Sequence, residues 1–351
     1  MRITDTLKEI NLNIRQNNQW SRREFLSTAA LAGAGALLGL QSNSLAAEPP
    51  PETVRIRLDQ GDSICTVPKY LAEELLKSEG FTDVQYVKTT GGSSAARAMA
   101  TGSIDVSSTS VLGTIAQIEA GEPIVFLGGL HIGCYELFGN DRIRSIRDLK
   151  GKRVAVTTIG SSRQLLLASM ASYVGLDPRK DIEWVTDPPA VAMKLFAEGK
   201  VDAFMGFPPE PQELRTKKIG HVVVDITRDR PWSQYFCCVV AGNREFARKH
   251  PVATKRVLRA ILKGVQICAV EPERAARLLV DKGSTKQYDY ALQSLKEIPY
   301  ARWRDYDPED TVRFYSLRLH EAGLIKSSPQ KIISQGTDWR FLKELKKELK
   351  A

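Results

Sequence analysis

Two stretches of similar sequence decide the fold of this chain: "TTGGSSAARAMATGSIDVSSTS" at residues 89–110 and "TDPPAVAMKLFAEGKVDAFMGF" at residues 186–207. They share one frame at a displacement of 97 residues. The matched positions are Thr89 with Thr186, Met99 with Phe196, Gly102 with Gly199 and Asp105 with Asp202. In each copy a helical stretch ends at a glycine, which adopts the left-handed backbone of a helix end without strain, and a short strand follows. The repeat predicts two similar structural units.

Each copy is preceded by an apolar strand, a loop and a helix. In the first copy these are a strand over 54–58 and a helix over 67–79, and in the second a strand over 153–156 and a helix over 164–174. Each unit therefore follows the order βαβαβ, which is typical of a mostly parallel sheet with helices on both faces. Since ligands bind beyond the carboxyl ends of the strands in such sheets, we expect two α/β lobes with a ligand cleft between them.

Two segments, 127–139 and 235–241, connect the predicted lobes and indicate a hinge. We expect the first lobe to comprise 48–133 and 238–351, and the second lobe to comprise 134–237. From Asn243 onward the pattern is largely helical, and we expect these helices to pack on the first lobe.

The segment "WSRREFLSTAALAGAGALLGL" at 20–40 predicts an export signal. Its apolar part, 29–40, has 12 residues, whereas a membrane-spanning helix needs about 20. Arg22 and Arg23 before a short apolar region, with small residues at cleavage spacing further on, are typical of a twin-arginine signal peptide. We expect 1–47 to be this peptide, cleaved near Ala46 or Ala47 after recognition by the Tat export machinery, and the mature chain to lie in the periplasm.

Composition and charge exclude several other classes. The formal charge is +9, and the basic residues are scattered among acids, so we expect no nucleic-acid partner. The five cysteines, Cys65, Cys134, Cys237, Cys238 and Cys268, are an odd number without a CxxC pair or a histidine at ligand spacing. We therefore expect no metal site and no cofactor, and buried free thiols at Cys237 and Cys238. The histidines are expected to be structural or surface residues.

Two motifs carry a resemblance to a known family: "ELFGNDRIRSIRDLKGKRVAVTTIGSS" at 136–162 and "GTDWRFLKELKKELK" at 336–350. With them, nearly all of the mature chain resembles the periplasmic substrate-binding proteins of ABC importers of the nitrate, sulfonate and taurine type, which include relatives that bind thiamine-pyrimidine precursors. The resemblance implies a two-lobed periplasmic-binding-protein architecture, a small-molecule ligand, and an ABC permease in the inner membrane with its ATPase as partners. It does not imply the identity of the ligand.

Two other functions stay open at this stage. One is a periplasmic sensor that presents its ligand to a signalling kinase, and the other is an enzyme on the same fold that synthesises the thiamine pyrimidine. We expect no enzyme, because no histidine lies in a nucleophile or metal motif, and we expect a monomer.

The candidate ligand-binding residues lie at strand ends and helix starts. They are Asp59, Gln60, Gly91, Gly92, Ser93, Ser94, Ser108, Thr109, Tyr135, Thr158, Gly160, Ser161, Ser162, Arg163, Phe207, Glu210 and Trp232. The loops 90–94 and 157–163 lead into helix N-termini, which favour anions. We therefore expect an anionic solute that resembles a sulfonate, nitrate or carboxylate. Arg163 would contact it, so that losing Arg163 weakens binding and spares the stability of the empty protein.

Each candidate also has a structural interpretation. Ser93 and Ser161 would serve as helix caps. Asp59 and Gln60 would form a turn after the first strand, and Ser108 and Thr109 would lie in a hydroxyl-rich loop. Tyr135 and Trp232 would pack in the core, and Glu210 would bind a ligand amine or pair with Arg215.

Overall fold

The computed structural model describes residues 48–349 apart from 62, 90 and 91. The predicted signal peptide, 1–47, therefore lies outside the described residues. The described residues from 50 onward form one compact unit. Of the helices in the described part of the chain, none has the length and apolar character that crossing a bilayer requires.

The strands form two five-stranded mixed sheets. The first sheet has the order β2-β1-β3-β10-β4 and the second has the order β7-β6-β8-β5-β9. The strands of the first sheet are β1 (Arg55–Gln60), β2 (Asp83–Lys88), β3 (Val106–Ser110), β4 (Ile124–Ile132) and β10 (Phe236–Asn243). Those of the second are β5 (Glu136–Gly139), β6 (Lys152–Val156), β7 (Ile182–Thr186), β8 (Ala203–Gly206) and β9 (His221–Asp225).

The helices separate the strands and then fill the C-terminal part of the chain. Those within the repeated units are α1 (Pro68–Leu71), α2 (Glu73–Ser78), α3 (Gly92–Ala100), α4 (Val111–Glu119), α5 (Ser162–Tyr173), α6 (Pro189–Ala197) and α7 (Glu210–Lys217). Those that follow β10 are α8 (Arg244–Lys249), α9 (Pro251–Val270), α10 (Pro272–Asp281), α11 (Tyr288–Glu297), α12 (Pro308–Glu321), α13 (Pro329–Gly336) and α14 (Arg340–Glu348).

The two sheets have the same internal plan, which confirms the predicted α/β class. β1 pairs in parallel with β2 and β3, and β6 pairs in parallel with β7 and β8. In each sheet one strand from another part of the chain runs antiparallel beside the third strand of the unit: β10 beside β3, and β5 beside β8. The chain thus passes from β4 to β5 and returns from β9 to β10, which are the two crossings between the sheets.

The matched aspartates of the sequence repeat make the same hydrogen bond in both sheets. The Asp105 carboxylate accepts the backbone N–H of Arg57 at 2.8 Å, and the Asp202 carboxylate accepts that of Arg153 at 3.1 Å. Each thereby ties the start of its strand, β3 or β8, to the first strand of the unit. Arg142 also donates to Asp202 at 2.7 Å. The shared frame of the two stretches therefore reflects a shared hydrogen-bonding role.

Three local expectations were wrong. β1 continues through Asp59 and Gln60, so these residues belong to a strand and form no turn. The hydroxyl residues 107–110 are β3 itself rather than a loop, because β3 is the central strand of the first sheet and its neighbours on both sides supply ladder hydrogen bonds. The helix expected over 67–79 is two short helices, α1 and α2.

The sequence suggested that the C-terminal helices pack on the first lobe. In the structure they contact both lobes. α12 packs against α5 of the second lobe as well as α4 of the first, and α11 packs against α7. One ion-pair cluster joins the second lobe to the C-terminal helices: Arg215 on α7 donates to Glu136 on β5 and to Glu297 on α11. Burial raises the pKa of Glu136, although the hydrogen bond from Arg215 opposes that change.

Candidate functional site

The N-termini of two helices from different lobes meet at the candidate site. α4 begins directly after β3, and α5 begins after the loop 157–161 that follows β6. A Cβ added at Gly113 on α4 would lie 3.1 Å from Oγ of Ser162 on α5. The carboxyl ends of β3 and β6 therefore approach one another at this junction, which is where ligands bind in open α/β sheets.

Arg163 and Glu210 form a buried ion pair behind this junction. The Arg163 side chain is 10% exposed and that of Glu210 is 13% exposed. Both terminal nitrogens of Arg163 donate to the carboxylate, one of them at 2.8 Å, and one also donates to the Met205 carbonyl at 3.0 Å. Glu210 in turn accepts the backbone N–H of Phe207 at 3.0 Å. Burial opposes the charge of Arg163, but Glu210 raises the pKa of the guanidinium.

This pair corrects two expectations. Glu210 pairs with Arg163 and not with Arg215, which binds Glu136 and Glu297 instead. Because its charge is neutralised and its side chain is buried, Arg163 is not a free positive charge beside the helix start. Removing it would leave the Glu210 carboxylate buried without a cation, so we now expect the loss of Arg163 to destabilise the empty protein.

Tyr135 and Phe207 cover the same ion pair with aromatic rings. Their ring centroids are 4.9 Å apart, and the Arg163 guanidinium lies 5.7 Å from the Phe207 centroid. Tyr135 is 5% exposed, and burial raises the pKa of its phenol. The structure thus brings four of the sequence candidates together: Tyr135, Arg163, Phe207 and Glu210.

The strands of the first sheet carry buried polar atoms without hydrogen-bond partners among the described residues. These atoms are Oδ1 of Asp59 and the hydroxyl oxygens of Ser107, Ser108 and Ser110. The other oxygen of Asp59 accepts from Lys69, whose side chain is 1% exposed. A buried polar atom without a partner costs about 1–3 kcal/mol, so these oxygens near the carboxyl ends of β1 and β3 are candidates to bind a polar ligand. Ser108 and Ser110 share one face of β3, whereas Ser107 lies on the other face.

The remaining strand-end candidates are less buried. Thr109 neighbours Ser108 on β3 and is 8% exposed, and Gln60 is half-buried at the end of β1. The Ser110 hydroxyl does not cap α4, although Ser110 occupies its N-cap position. The N–H groups of the first turn of α4 are therefore not satisfied by that side chain.

The loop before α5 is held by its own hydrogen bonds. Ser161 donates to the Thr158 carbonyl at 2.7 Å and accepts the N–H of Gln164 at 3.4 Å, so it acts as a helix cap. Gly160 has a φ of 79°, which is a left-handed backbone that favours glycine, and it is exposed together with Thr158. Ser162 is the first residue of α5 and faces Gly113.

The matching loop of the first lobe is only partly described. Gly91 lies outside the described residues, as do the side chains of Ser93 and Ser94. Gly92 is the first residue of α3. Whether Ser93 caps α3 or contacts a ligand stays a prediction.

Trp232 lies apart from these residues. Its ring packs edge-on against Tyr173 and Phe314, with centroids 5.6 Å away in each case, and it is 3% exposed. It lines an open surface cavity of about 470 Å³. The other residues that line this cavity include Arg144, Arg147, Arg230 and Asp229. Trp232 therefore does not share a site with Arg163.

Four cysteines and one histidine form a buried cluster that the sequence analysis missed. The sulfur atoms of Cys65 and Cys238 are 3.4 Å apart, and those of Cys134 and Cys237 are 2.9 Å apart. Cys134 follows β4 at the first crossing, and Cys237 and Cys238 lie on β10 at the second. His131, at the end of β4, pairs with Cys238 across the sheet. All five cysteines of the chain are free and buried in the structure, as expected for Cys237 and Cys238.

Each member of the cluster titrates differently because each has different neighbours. Burial raises the pKa of the Cys65 and Cys134 thiols. The Cys134 thiol stabilises the thiolate of Cys238 and lowers its pKa. Burial opposes the charged form of His131, but the thiols of Cys238 and Cys65 raise the pKa of the ring well above its ordinary value.

Comparison with known proteins shows that the chain is similar to two-lobed binding proteins. It is 32% identical over 184 residues to the putative aliphatic sulfonates-binding protein of Escherichia coli (strain K12), a match that covers 51% of this chain and 56% of that protein. The periplasmic nitrate-binding protein NrtA from Synechocystis PCC 6803 superposes with a TM-score of 0.71 at 16% identity, over 86% of this chain and 90% of NrtA. At that identity the likeness shows the fold alone.

An enzyme is also among the relatives. The 4-amino-5-hydroxymethyl-2-methylpyrimidine phosphate synthase THI13 of Saccharomyces cerevisiae is 24% identical over 231 residues, which cover 61% of this chain and 66% of the synthase. The chain thus spans less than two thirds of both curated relatives. The resemblance to nitrate- and sulfonate-type binding proteins and the two-lobed fold drawn from the sequence are confirmed. Since the family model described as NMT1/THI5 like matches residues 68–275, more than half of the chain, this protein belongs to the NMT1/THI5-like family.

Proposed function

We propose that this chain is the periplasmic solute-binding component of an ABC importer. It captures a small solute between its lobes, closes over it, and presents it to an inner-membrane permease with its ATPase. The observation that carries the proposal is the pair of buried hydroxyls of Ser108 and Ser110, which have no hydrogen-bond partner among the described residues. They share one face of β3, the strand that leads into α4 at its junction with α5. The match to the putative aliphatic sulfonates-binding protein of Escherichia coli supports the proposal.

We propose that one end of the solute is anionic and that the N-terminal turns of α4 and α5 bind it. These turns supply N–H donors and the positive ends of two helix dipoles, and each end favours an anion by about 0.3–1 kcal/mol when exposed and by up to about 2 kcal/mol when partly buried. Ser108, Ser110 and Ser162 would add hydroxyl donors. Arg163 would act indirectly, by holding Glu210 and Phe207 in place.

Export and assembly belong to the same proposal. The chain would leave the cytoplasm through the Tat machinery, lose its signal near Ala46 or Ala47, and act as a monomer. Size-exclusion chromatography with light scattering tests the monomer, and the N-terminal sequence of protein from the periplasm tests the cleavage site.

Binding tests the proposal directly. We expect thermal-shift and calorimetric screening of alkanesulfonates, nitrate, bicarbonate, carboxylates, pyrimidines and neutral sugars to find a small anion that raises the melting temperature, because a ligand that binds only the folded state stabilises it. The double variant Ser108→Ala/Ser110→Ala should weaken the binding of that anion on the order of a hundredfold or more, since each of the two lost hydrogen bonds to a charged group contributes about 1.5–3 kcal/mol. Ser334→Ala, at an exposed serine on α13, is the matched control.

Three results would contradict this function. Tight binding of only neutral or cationic compounds would overturn the anionic solute, and equal affinity in the double variant and the control would overturn the site. Formation of a new product during prolonged incubation with the bound compound, detected by mass spectrometry, would favour the synthase alternative that THI13 represents.

A further inference from the structure

Three thiols from distant parts of the chain converge on one point. Cys65 lies in the short helical turn Ile64–Thr66 after β1, Cys134 follows β4, and Cys238 lies on β10. Their sulfur atoms all lie within 4.8 Å of one another, and each residue is at most 6% exposed. Sulfurs that share one tetrahedral zinc ion at a bond length of about 2.3 Å are about 3.8 Å apart. The 3.4 Å between Cys65 and Cys238 is close to that separation.

His131 supplies a nitrogen beside these thiols. Its Nδ1 lies 3.1 Å from the Ile132 carbonyl, and because a carbonyl only accepts, the neutral ring carries its proton on Nδ1. The lone pair is then on Nε2, which is buried and has no hydrogen-bond partner among the described residues. Histidine ligands of metal ions are commonly held in this way, with the other ring nitrogen donating to a backbone carbonyl.

Neighbouring residues contact both the backbone and the sulfur atoms of the cluster. The Ser63 hydroxyl lies 3.3 Å from the Cys65 sulfur, and the Cys237 sulfur lies 2.9 Å from that of Cys134. Tyr300 donates its hydroxyl to the Cys65 carbonyl at 3.0 Å, and its ring meets that of His131 edge-on at 5.1 Å. The backbone N–H of Cys134 donates to the Thr227 hydroxyl at 3.3 Å. Cys134 has a φ of 95°, a left-handed backbone that side chains other than glycine rarely adopt.

We propose that Cys65, Cys134 and Cys238, whose sulfur atoms already lie close together, bind one thiophilic divalent cation of the zinc class, and that the ring of His131, which lies outside this close group, turns toward the ion to become the fourth ligand. Thiolate and imidazole ligands select such ions, and four protein ligands make a closed, structural site rather than a catalytic one. The ion would connect the turn after β1 to β4 and β10, the two strands of the first sheet at the crossings between the lobes. This inference reverses the expectation from sequence that the chain binds no metal, and it does not depend on the proposed solute.

The test uses the full chain, reduced and freed of metal by chelation. We expect it to bind one equivalent of Co²⁺ with the thiolate-to-cobalt charge-transfer absorption of a tetrahedral thiolate site, and one equivalent of Zn²⁺ to displace that absorption. In competition with a chromophoric chelator, Cys65→Ser, Cys134→Ser, Cys238→Ser and His131→Gln should each weaken Zn²⁺ binding on the order of a hundredfold. Cys268→Ser, which changes a buried thiol outside the cluster, should leave the affinity unchanged.

The wild-type titration decides the proposal even where a variant fails to fold. Reduced wild-type chain that takes up less than one equivalent of Co²⁺, or takes it up without charge-transfer absorption, would overturn the site. A disulfide between Cys134 and Cys237 in protein recovered from the periplasm would also overturn it, because it removes one of the three thiolates. Unchanged affinity in His131→Gln would overturn the assignment of the fourth ligand.

Discussion

Replacing Arg163 with methionine should destabilise the empty protein by about 3 kcal/mol, near the lower end of the range for breaking a buried ion pair. The variant loses two hydrogen bonds to Glu210 and one to the Met205 carbonyl. The larger cost is at the Glu210 carboxylate, whose side chain is 13% exposed and which loses the cation that pairs with it. Methionine fills a similar volume beside Phe204 and Phe207, so a cavity adds little to the loss.

A double-mutant cycle separates the pair from general damage. Because Glu210→Gln removes the buried charge, the double variant Arg163→Met/Glu210→Gln should be more stable than the sum of the single losses implies, with a coupling energy of roughly 1.5 kcal/mol or more. Urea unfolding followed by circular dichroism gives each free energy, and an unchanged m-value shows that the denatured state is not altered.

The exposed pair of Arg248 and Glu245 on α8 is the control, since their side chains are 67% and 52% exposed. Arg248→Met should change stability very little. If Arg163→Met costs no more than Arg248→Met, the pair with Glu210 is not the buried contact described here. Arg163 would then be available to a ligand, as the sequence alone suggested.

Three further predictions concern lobe closure, pH and export. Gly113→Leu should weaken solute binding and leave the solute-bound chain more open in small-angle scattering, because a Cβ there already lies 3.1 Å from the Ser162 hydroxyl; wild-type affinity in this variant would contradict the α4–α5 contact. Glu52 accepts the N–H groups of Val252 and Ala253, each at 2.9 Å, and although burial opposes the change, these bonds lower its pKa from 4.5. The contribution of Glu52 to the free energy of unfolding is therefore present above the pKa of its carboxyl in the unfolded chain, and it is lost as the pH falls through the pKa in the folded chain. In urea unfolding, Glu52→Gln should be less stable than wild type at neutral pH and should approach wild-type stability well below pH 4.5. A stability difference that does not change with pH would contradict this. Arg22→Lys/Arg23→Lys should block export through the Tat route, since a receptor reads this signal, and cell fractionation that finds the double variant in the periplasm at the wild-type level would refute it.

The sequence predicted the repeated α/β plan because the plan is encoded locally. A helix that ends at glycine, followed by an aspartate at the start of a strand, occurs twice, and each aspartate hydrogen-bonds the first strand of its own unit. Local preference predicts a loop at β3, because a run of serine and threonine is typical of turns. Its position between β1 and β10 overrides that local preference, since both neighbours are present to pair with it.

The contacts that matter most at the site could not be predicted because they join residues far apart in the chain. Arg163 and Glu210 are 47 residues apart, and Cys65 and Cys238 are 173 apart. Spacing rules for metal ligands detect pairs that lie within one turn or loop, so they miss ligands brought together from three strand ends. The fold brings these residues together only because β10 returns to the first sheet between β3 and β4.

The charges around the proposed solute site cancel in pairs, and this changes how selectivity would arise there. Arg163 is neutralised by Glu210, and Lys69 by Asp59. Neither cation is therefore available to attract an anion over a long range, as a free surface charge would. Selectivity would depend instead on short-range donors, namely the N–H groups of the α4 and α5 termini and the hydroxyls of Ser108 and Ser110. Since hydrogen bonds require specific distances and angles, such a site would distinguish solutes by the shape and arrangement of their oxygens more than by their total charge.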